Sequence, residues 1–354
     1  MEVVSVMKDG LYHDWEILES LWDSAFDDRL RVKPAEHPIM LAEPSHNDKA
    51  TREKTVEMMF EIHSPPAVFL AKNAVLSSFS TGRQTSLVVD CGYDATTVAA
   101  VHDGYLLQKS VCRGPLGGSV LNRCMEAAVL QSCGAEIKPR YSFKRKEGEG
   151  GVMEVTPLDV PKTTESYRRF MQEAVAADIK ESVCRVYDGA FDEEQTKNMP
   201  TVAYELPDGQ EIQVGNDRFK VPEVLFNPSL ATAFKGIEAI KNAAGAEVSS
   251  LPHMVLESIN KCDVDVRKEL CSGVVLAGGS SLMPQLRERM ERELSEQVSN
   301  VRVKVIASPQ LVERKFSVWI GGSILASLGS FHQMWMSKSD YEEHGASLIH
   351  RKAP

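Results

Sequence analysis

The sequence contains no run of 18 apolar residues, so it offers no membrane-spanning helix. Its opening, Met1-Glu2-Val3-Val4, lacks the basic-then-apolar layout of a secretory leader. The 7 cysteines are scattered, with no Cys-x-x-Cys pair and no Cys/His cluster. That argues against a zinc site or a disulfide framework, and the odd count suits reduced thiols inside a cell. An excess of positive charge is also missing. Lys and Arg total 40 against 50 Asp and Glu, a net charge of −10. The surface as a whole therefore does not attract nucleic acid, which leaves room only for a local basic patch. His63, His102 and His253 each stand alone and read as satisfied or surface side chains. No internal repeat is visible.

What is present is ordinary globular material. The 354 residues are 43% hydrophobic and 25% charged, enough for one large or two ordinary domains. Asp14 reads as an N-cap, and Trp15, Leu18, Trp22, Ala25 and Phe26 recur at helical spacing, the stripe of a core-facing helix. Pro38 to Ala42 and Ala67 to Leu70 read as short buried strands, with a helix over Lys49 to Ile62 between them. Ser86-Leu87-Val88-Val89-Asp90 is a strand ending in an acid-glycine turn, and two strand-like runs follow up to Gln108. Strands alternating with helices predict an α/β protein with central sheets.

The middle differs. Pro139 to Pro161 is polar and glycine-rich, with Lys144-Arg145-Lys146 before Glu147-Gly148-Glu149-Gly150-Gly151, and reads as an exposed loop rather than a nuclear signal. Thr164 to Val186 reads as a helix, and Glu205-Leu206-Pro207-Asp208-Gly209-Gln210 as a hairpin with Pro-Asp-Gly turn chemistry. Residues 228–252 read as a surface insertion with some helix. Over Met283 to Val298, Leu286, Met290 and Leu294 mark one apolar helix face.

Three segments hold candidate chemistry. In Asp90-Cys91-Gly92-Tyr93-Asp94-Ala95-Thr96-Thr97 a strand delivers a carboxylate and a turn exposes backbone N–H groups. Phosphate binding needs both, amides for the oxygens and an acid near a hydrated metal. In Val274 to Ser281 a buried strand runs into Gly278-Gly279 and then a helix, and such a helix start suits an anion. Arg314-Lys315-Phe316-Ser317-Val318-Trp319-Ile320-Gly321-Gly322 carries a basic pair, an apolar run and two glycines that read as a tight turn where backbone must come close to something.

This set, with Asp178-Ile179-Lys180-Glu181, and the tail through Gln333-Met334-Trp335, Tyr341-Glu342 and His350-Arg351-Lys352, resembles the actin family. The likeness spans nearly the whole chain from Lys8-Asp9-Gly10, with breaks near 138–165 and 228–252. Met199-Pro200-Thr201-Val202 and Arg140 to Lys146 are similar to the nuclear actin-related members, plant and algal forms above all. The resemblance implies an actin-like fold, two related α/β domains around a nucleotide cleft, with the first domain incomplete. The outer domain would take residues 1–80 plus 317–354, the inner 81–116 plus 252–316, and 117–251 an inserted part. Relative to actin, the chain is expected to lack the first phosphate loop, the first strands of the outer sheet and the small domain above it.

The resemblance also assigns sites. Asp90 would face a metal and its water. Gly92, Tyr93 and Asp94 would offer phosphate-side backbone. Lys180, Glu181, Gly279, Ser280 and Lys315 would line base and ribose. ATP is thus the implied cofactor, weakened by the absent loop. Asn73 stands where actin has the glutamine that positions the attacking water, and Thr97 where actin has a nearby histidine, so no catalysis is expected. The implied role is a non-catalytic subunit of chromatin remodelling and histone acetyltransferase assemblies in the nucleus. Implied partners are actin, a helical scaffold segment of a remodeller ATPase, other subunits and histones, with no membrane. The helix would dock in a groove of Phe79, Ile324, Leu325, Leu328 and Met334. The competing expectations are an ATP-binding, filament-forming cytoskeletal protein and a small-molecule kinase on the same superfold.

Overall fold

The computed structural model describes residues 2–147, 153–242, 244–298 and 301–354. Two sheets organise it. The outer sheet has Ala67–Lys72 at its centre, parallel to Ile39–Glu43 and antiparallel to Met336–Ser337. Residues 68–72 are all buried, as befits a central strand with both faces covered. Around it pack Trp22, Phe26, Met59, Phe60 and Phe331. Helix Trp15–Asp23 is started by Asp14, whose carboxylate accepts from the Ile17 amide at 3.1 Å. Helix Lys49–Met58 is capped by Asp48 in the same way, on the Thr51 amide. Both helices run on into wider π turns, Ser24–Leu30 and Met59–His63.

The inner sheet has six strands. Ser86–Cys91 is central, parallel to Val274–Ala277 and antiparallel to Thr96–His102, with Val305–Ile306, Tyr105–Leu106 and Cys112–Gly114 outside them. The register sets Ala277 opposite Asp90 and Asp90 opposite Thr97. Asp90 therefore sits at the carboxyl end of the parallel pair, where α/β sheets place ligands. Helices Gly118–Cys133 and Glu165–Val183 cover this sheet through Leu121, Met125, Ala176 and Ile179.

Helices Asn73–Ser80 and Ser317–Ala326 cross in contact. Here the expected tight turn at Gly321-Gly322 is corrected: both glycines lie inside a helix. The close approach is real, but it is helix on helix. A Cβ on Gly321 would stand 1.8 Å from the Leu76 carbonyl oxygen. Ser77 and Ser317 join their hydroxyls at 3.2 Å beside it.

The reading of 139–161 as loop is also corrected. Phe143–Glu147 and Met153–Pro157 form an antiparallel hairpin, with Phe143 buried. The expectation for Gly148 to Gly151 lies outside the described residues. Val202–Glu205 and Glu211–Val214 form a second hairpin around Asp208-Gly209, Gly209 at φ +91°. In 228–252, a short 3-10 helix Pro228–Ala233 is anchored by buried Ala231 and Phe234, while Lys235, Glu238 and Lys241 are exposed. The apolar face expected on 283–298 is found: Leu286, Met290 and Leu294 are buried in helix Leu286–Gln297. Among the described residues no helix is long and apolar enough to cross a membrane, and no cluster of His, Cys, Asp and Glu could hold a metal ion.

Candidate functional site

The turn after Ser86–Cys91 is shaped by the residues that follow it. Helix Gly118–Cys133 points its first amides at that turn: Gly118 donates to the Gly92 carbonyl at 3.0 Å and Ser119 to the Tyr93 carbonyl at 2.9 Å. A side chain at Gly117 would collide with the Tyr93 carbonyl at 2.4 Å, so the glycine is required by the contact. With its carbonyls held and the Gly92 amide bonded to Ala95, the turn has the amides of Tyr93 and Asp94 left without a backbone partner among the described residues. Ser280 donates to the Gly92 carbonyl at 3.0 Å and ties the second glycine turn to the first. That second turn continues as the expected helix, which is a short 3-10 helix over Gly279–Leu282.

Between these turns lies a cavity of about 610 Å³. It brings together Gly92, Tyr93, Lys180, Glu181, Gly279, Ser280 and Lys315, with Gly118, Asn122, Met283, Leu311 and Phe316. Lys180 is 6% exposed. Burial lowers its ammonium pKa, against the opposing pull of Glu181. No carboxylate among the described residues reaches ion-pair distance. A buried cation without a partner beside a cavity calls for an anion. The Asn122 Oδ1 is likewise buried without a hydrogen bond. Tyr93 donates its hydroxyl to Glu173 at 2.5 Å, and burial with that carboxylate pushes the phenol up. The cavity combines an apolar wall from Met283 and Phe316 with the ammonium groups of Lys180 and Lys315, a lining that suits an anionic ligand with an apolar part.

Two expected residues lie elsewhere. Asp94 is on the exposed tip of the turn. Asp90 lines a separate small chamber of about 40 Å³ with Asn73, Thr97 and Ser45. Enclosure raises its carboxyl pKa to about 6. Gly278, at φ +84°, passes so close that a Cβ there would be 2.4 Å from Asp90 Oδ1 and from the Cys91 carbonyl. Asn73 Oδ1 has no hydrogen-bond partner. The chamber exceeds the roughly 10–15 Å³ of probe volume that one water needs, and its walls are polar enough to hold one.

Four of the five residues expected to form a groove line a cavity of about 370 Å³. Phe79, Leu325, Leu328 and Met334 line it with Phe69, Val75, Tyr105 and Phe331. Ile324 does not: it is 40% exposed but turned aside on the same helix. Sequence reasoning missed a buried ionic cluster beside this groove. Glu43 pairs with Lys72 and with Arg52, each at 2.9 Å, and Arg52 also holds the Ala353 carbonyl and His350. Glu43 and Lys72 end neighbouring strands in register, a relation no local pattern reveals.

Comparison with known proteins agrees with this geometry. The profile of the actin family matches residues 1–354. Actin-related protein 4 of Oryza sativa subsp. japonica is 58% identical over 355 residues, spanning 100% of this chain and 80% of the relative. Actin-related protein 4 of Arabidopsis thaliana is 56% identical over the same span. That of Schizosaccharomyces pombe is 34% identical over 369 residues, 99% of this chain and 84% of the relative. Two sheets, crossing helices, paired glycine turns and a full-length family match lead to one statement: the chain belongs to the actin family.

Proposed function

We propose that this chain is a non-catalytic actin-related subunit of nuclear assemblies that remodel or acetylate chromatin, where it pairs with actin and seats a helical scaffold segment of a remodeller ATPase. The observation that carries this is the open apolar groove lined by Phe79, Leu325, Leu328 and Met334. Leu328 remains 41% exposed there. Apolar side chains left in a concave strip suit a helix face, with Met334 to adapt to it. The similarity to proteins named actin-related protein 4 supports the same reading.

Lys180, Ser280 and the amide of Tyr93 would hold an adenine nucleotide, with Glu181 and Lys315 at its ribose and base. Bound there, the nucleotide would supply charge to neutralise Lys180 and mass to brace the two glycine turns. Turnover is not expected. Positioning water is most of what a protein adds to nucleotide hydrolysis, and Asn73 and Thr97 present a short amide and a hydroxyl to the Asp90 chamber.

The test is affinity capture of the tagged chain from nuclei, scored for actin and for a remodeller ATPase. Recovery of both supports the proposal. Recovery of neither, together with steady phosphate release from ATP, would replace it with the cytoskeletal ATPase reading.

A further inference from the structure

Resting on the groove reading above, we infer that the docked helix carries a lysine or arginine that meets Asp103, and that this contact sets the direction in which the helix lies. Asp103 and Gly104 form the turn between Thr96–His102 and Tyr105–Leu106, and both line the groove. The turn is held rigidly. Asp103 donates its amide to Thr85 Oγ1 at 3.2 Å, and Gly104 donates to the Gln84 carbonyl at 2.8 Å. Phe79 stands 3.5 Å from where a Gly104 Cβ would be. Asp103 itself is in the left-handed region, at φ 50°.

On this fixed backbone the carboxylate faces solvent. Its side chain is 76% exposed, with the His102 imidazole 3.6 Å away. No Lys or Arg among the described residues reaches ion-pair distance. Lys72 also lines the groove but is buried and held by Glu43, and Tyr105 adds a neutral phenol. The strip is thus apolar along Phe79, Leu325, Leu328 and Met334 and anionic at the Asp103 turn. Apolar burial has no direction, so it cannot tell a helix from its reverse. An exposed carboxylate fixed at the Asp103 turn can, by rewarding the orientation that brings a cation to it and disfavouring the other. A strand is a poor occupant. The strand edge at this groove is Tyr105–Leu106, whose two residues are too short to template pairing.

The test uses two synthetic amphipathic peptides of about 18 residues, roughly 27 Å as helices. They share one leucine stripe and differ only in a terminal residue, lysine or glutamate. Binding is read by fluorescence anisotropy at low and high salt. The lysine peptide should bind the full chain about two- to fivefold more tightly, the range of an exposed ion pair. The preference should shrink as salt screens it. Asp103→Asn, which keeps a residue tolerant of the left-handed backbone, should remove the preference with the melting temperature unchanged, and Asp103→Lys should reverse it. Equal binding of both peptides by all three proteins overturns the inference and leaves the groove reading standing. A preference for glutamate also overturns it. Failure of either peptide to bind a folded chain removes the groove reading and the inference with it.

Discussion

Replacing Asp90 with asparagine should stabilise the nucleotide-free chain, and the gain should depend on pH. The carboxyl is enclosed beside Gly278, Asn73 and Thr97 with no cation at ion-pair distance among the described residues, and its pKa rises from 3.8 to about 6. A raised carboxyl pKa means that the native state holds its proton more tightly than the unfolded chain. Below 3.8 both states are protonated and burial carries no ionic penalty. Between 3.8 and about 6 the penalty grows, and above that it is complete. The shift of about two pKa units corresponds to about 3 kcal/mol at 1.36 kcal/mol per unit. Asparagine has nearly the same shape and no charge to desolvate. Urea unfolding should therefore show Asp90→Asn more stable by up to about 3 kcal/mol at pH 7.5, and by under about 1 kcal/mol at pH 4. A variant less stable by the same amount at both values would refute the reasoning. It would mean that the carboxylate accepts hydrogen bonds that stabilise the fold.

Gly321→Ala should lower stability by at least about 1–3 kcal/mol, because its methyl would overlap the Leu76 carbonyl and force the crossing helices apart; a melting curve unchanged from wild type would count against the crossing. Gly278→Ala should cost about 1–3 kcal/mol from backbone strain alone, with added overlap on Asp90, and calorimetry checks it. Any ATP bound by the chain should show no steady phosphate release in a coupled assay, and Lys180→Met should weaken ATP about tenfold or more in calorimetry, as loss of a charge-assisted bond implies. In magnesium and salt the chain should stay in the supernatant on sedimentation, since 228–252 presents charged surface; an ordered pellet would favour the filament reading.

The sequence was most legible where a local rule matched the fold. Asp14 and the 286–294 stripe are a cap and a face that period and side-chain chemistry announce. It was misleading where glycine serves two purposes. Gly321 signals close approach, but sequence cannot tell a turn from a helix crossing, because the partner, Leu76, is about 245 residues away along the chain. The 143–157 hairpin was hidden because its first strand is mostly charged, with Phe143 its buried residue among the described side chains. The cleft residues came from family likeness, since an acid-glycine turn alone is common. The structure adds the division of labour: Lys180, Ser280 and Lys315 share the large cavity, while Asp90, Asn73 and Thr97 share the small one. The Glu43–Lys72–Arg52 cluster had no local signal at all, since it depends on strand register.

The groove is the centre of the account, and Leu328→Asp tests it most directly. Leu328 lines the strip yet is substantially exposed, so a charge there should not unfold the chain. Capture of the remodeller scaffold helix by wild type and variant should be measured alongside their melting temperatures. The expected result is a melting temperature within a few degrees of wild type and helix affinity reduced by about tenfold or more, 1.4 kcal/mol, as for a central apolar anchor. A folded variant that binds the helix as tightly as wild type would contradict the account.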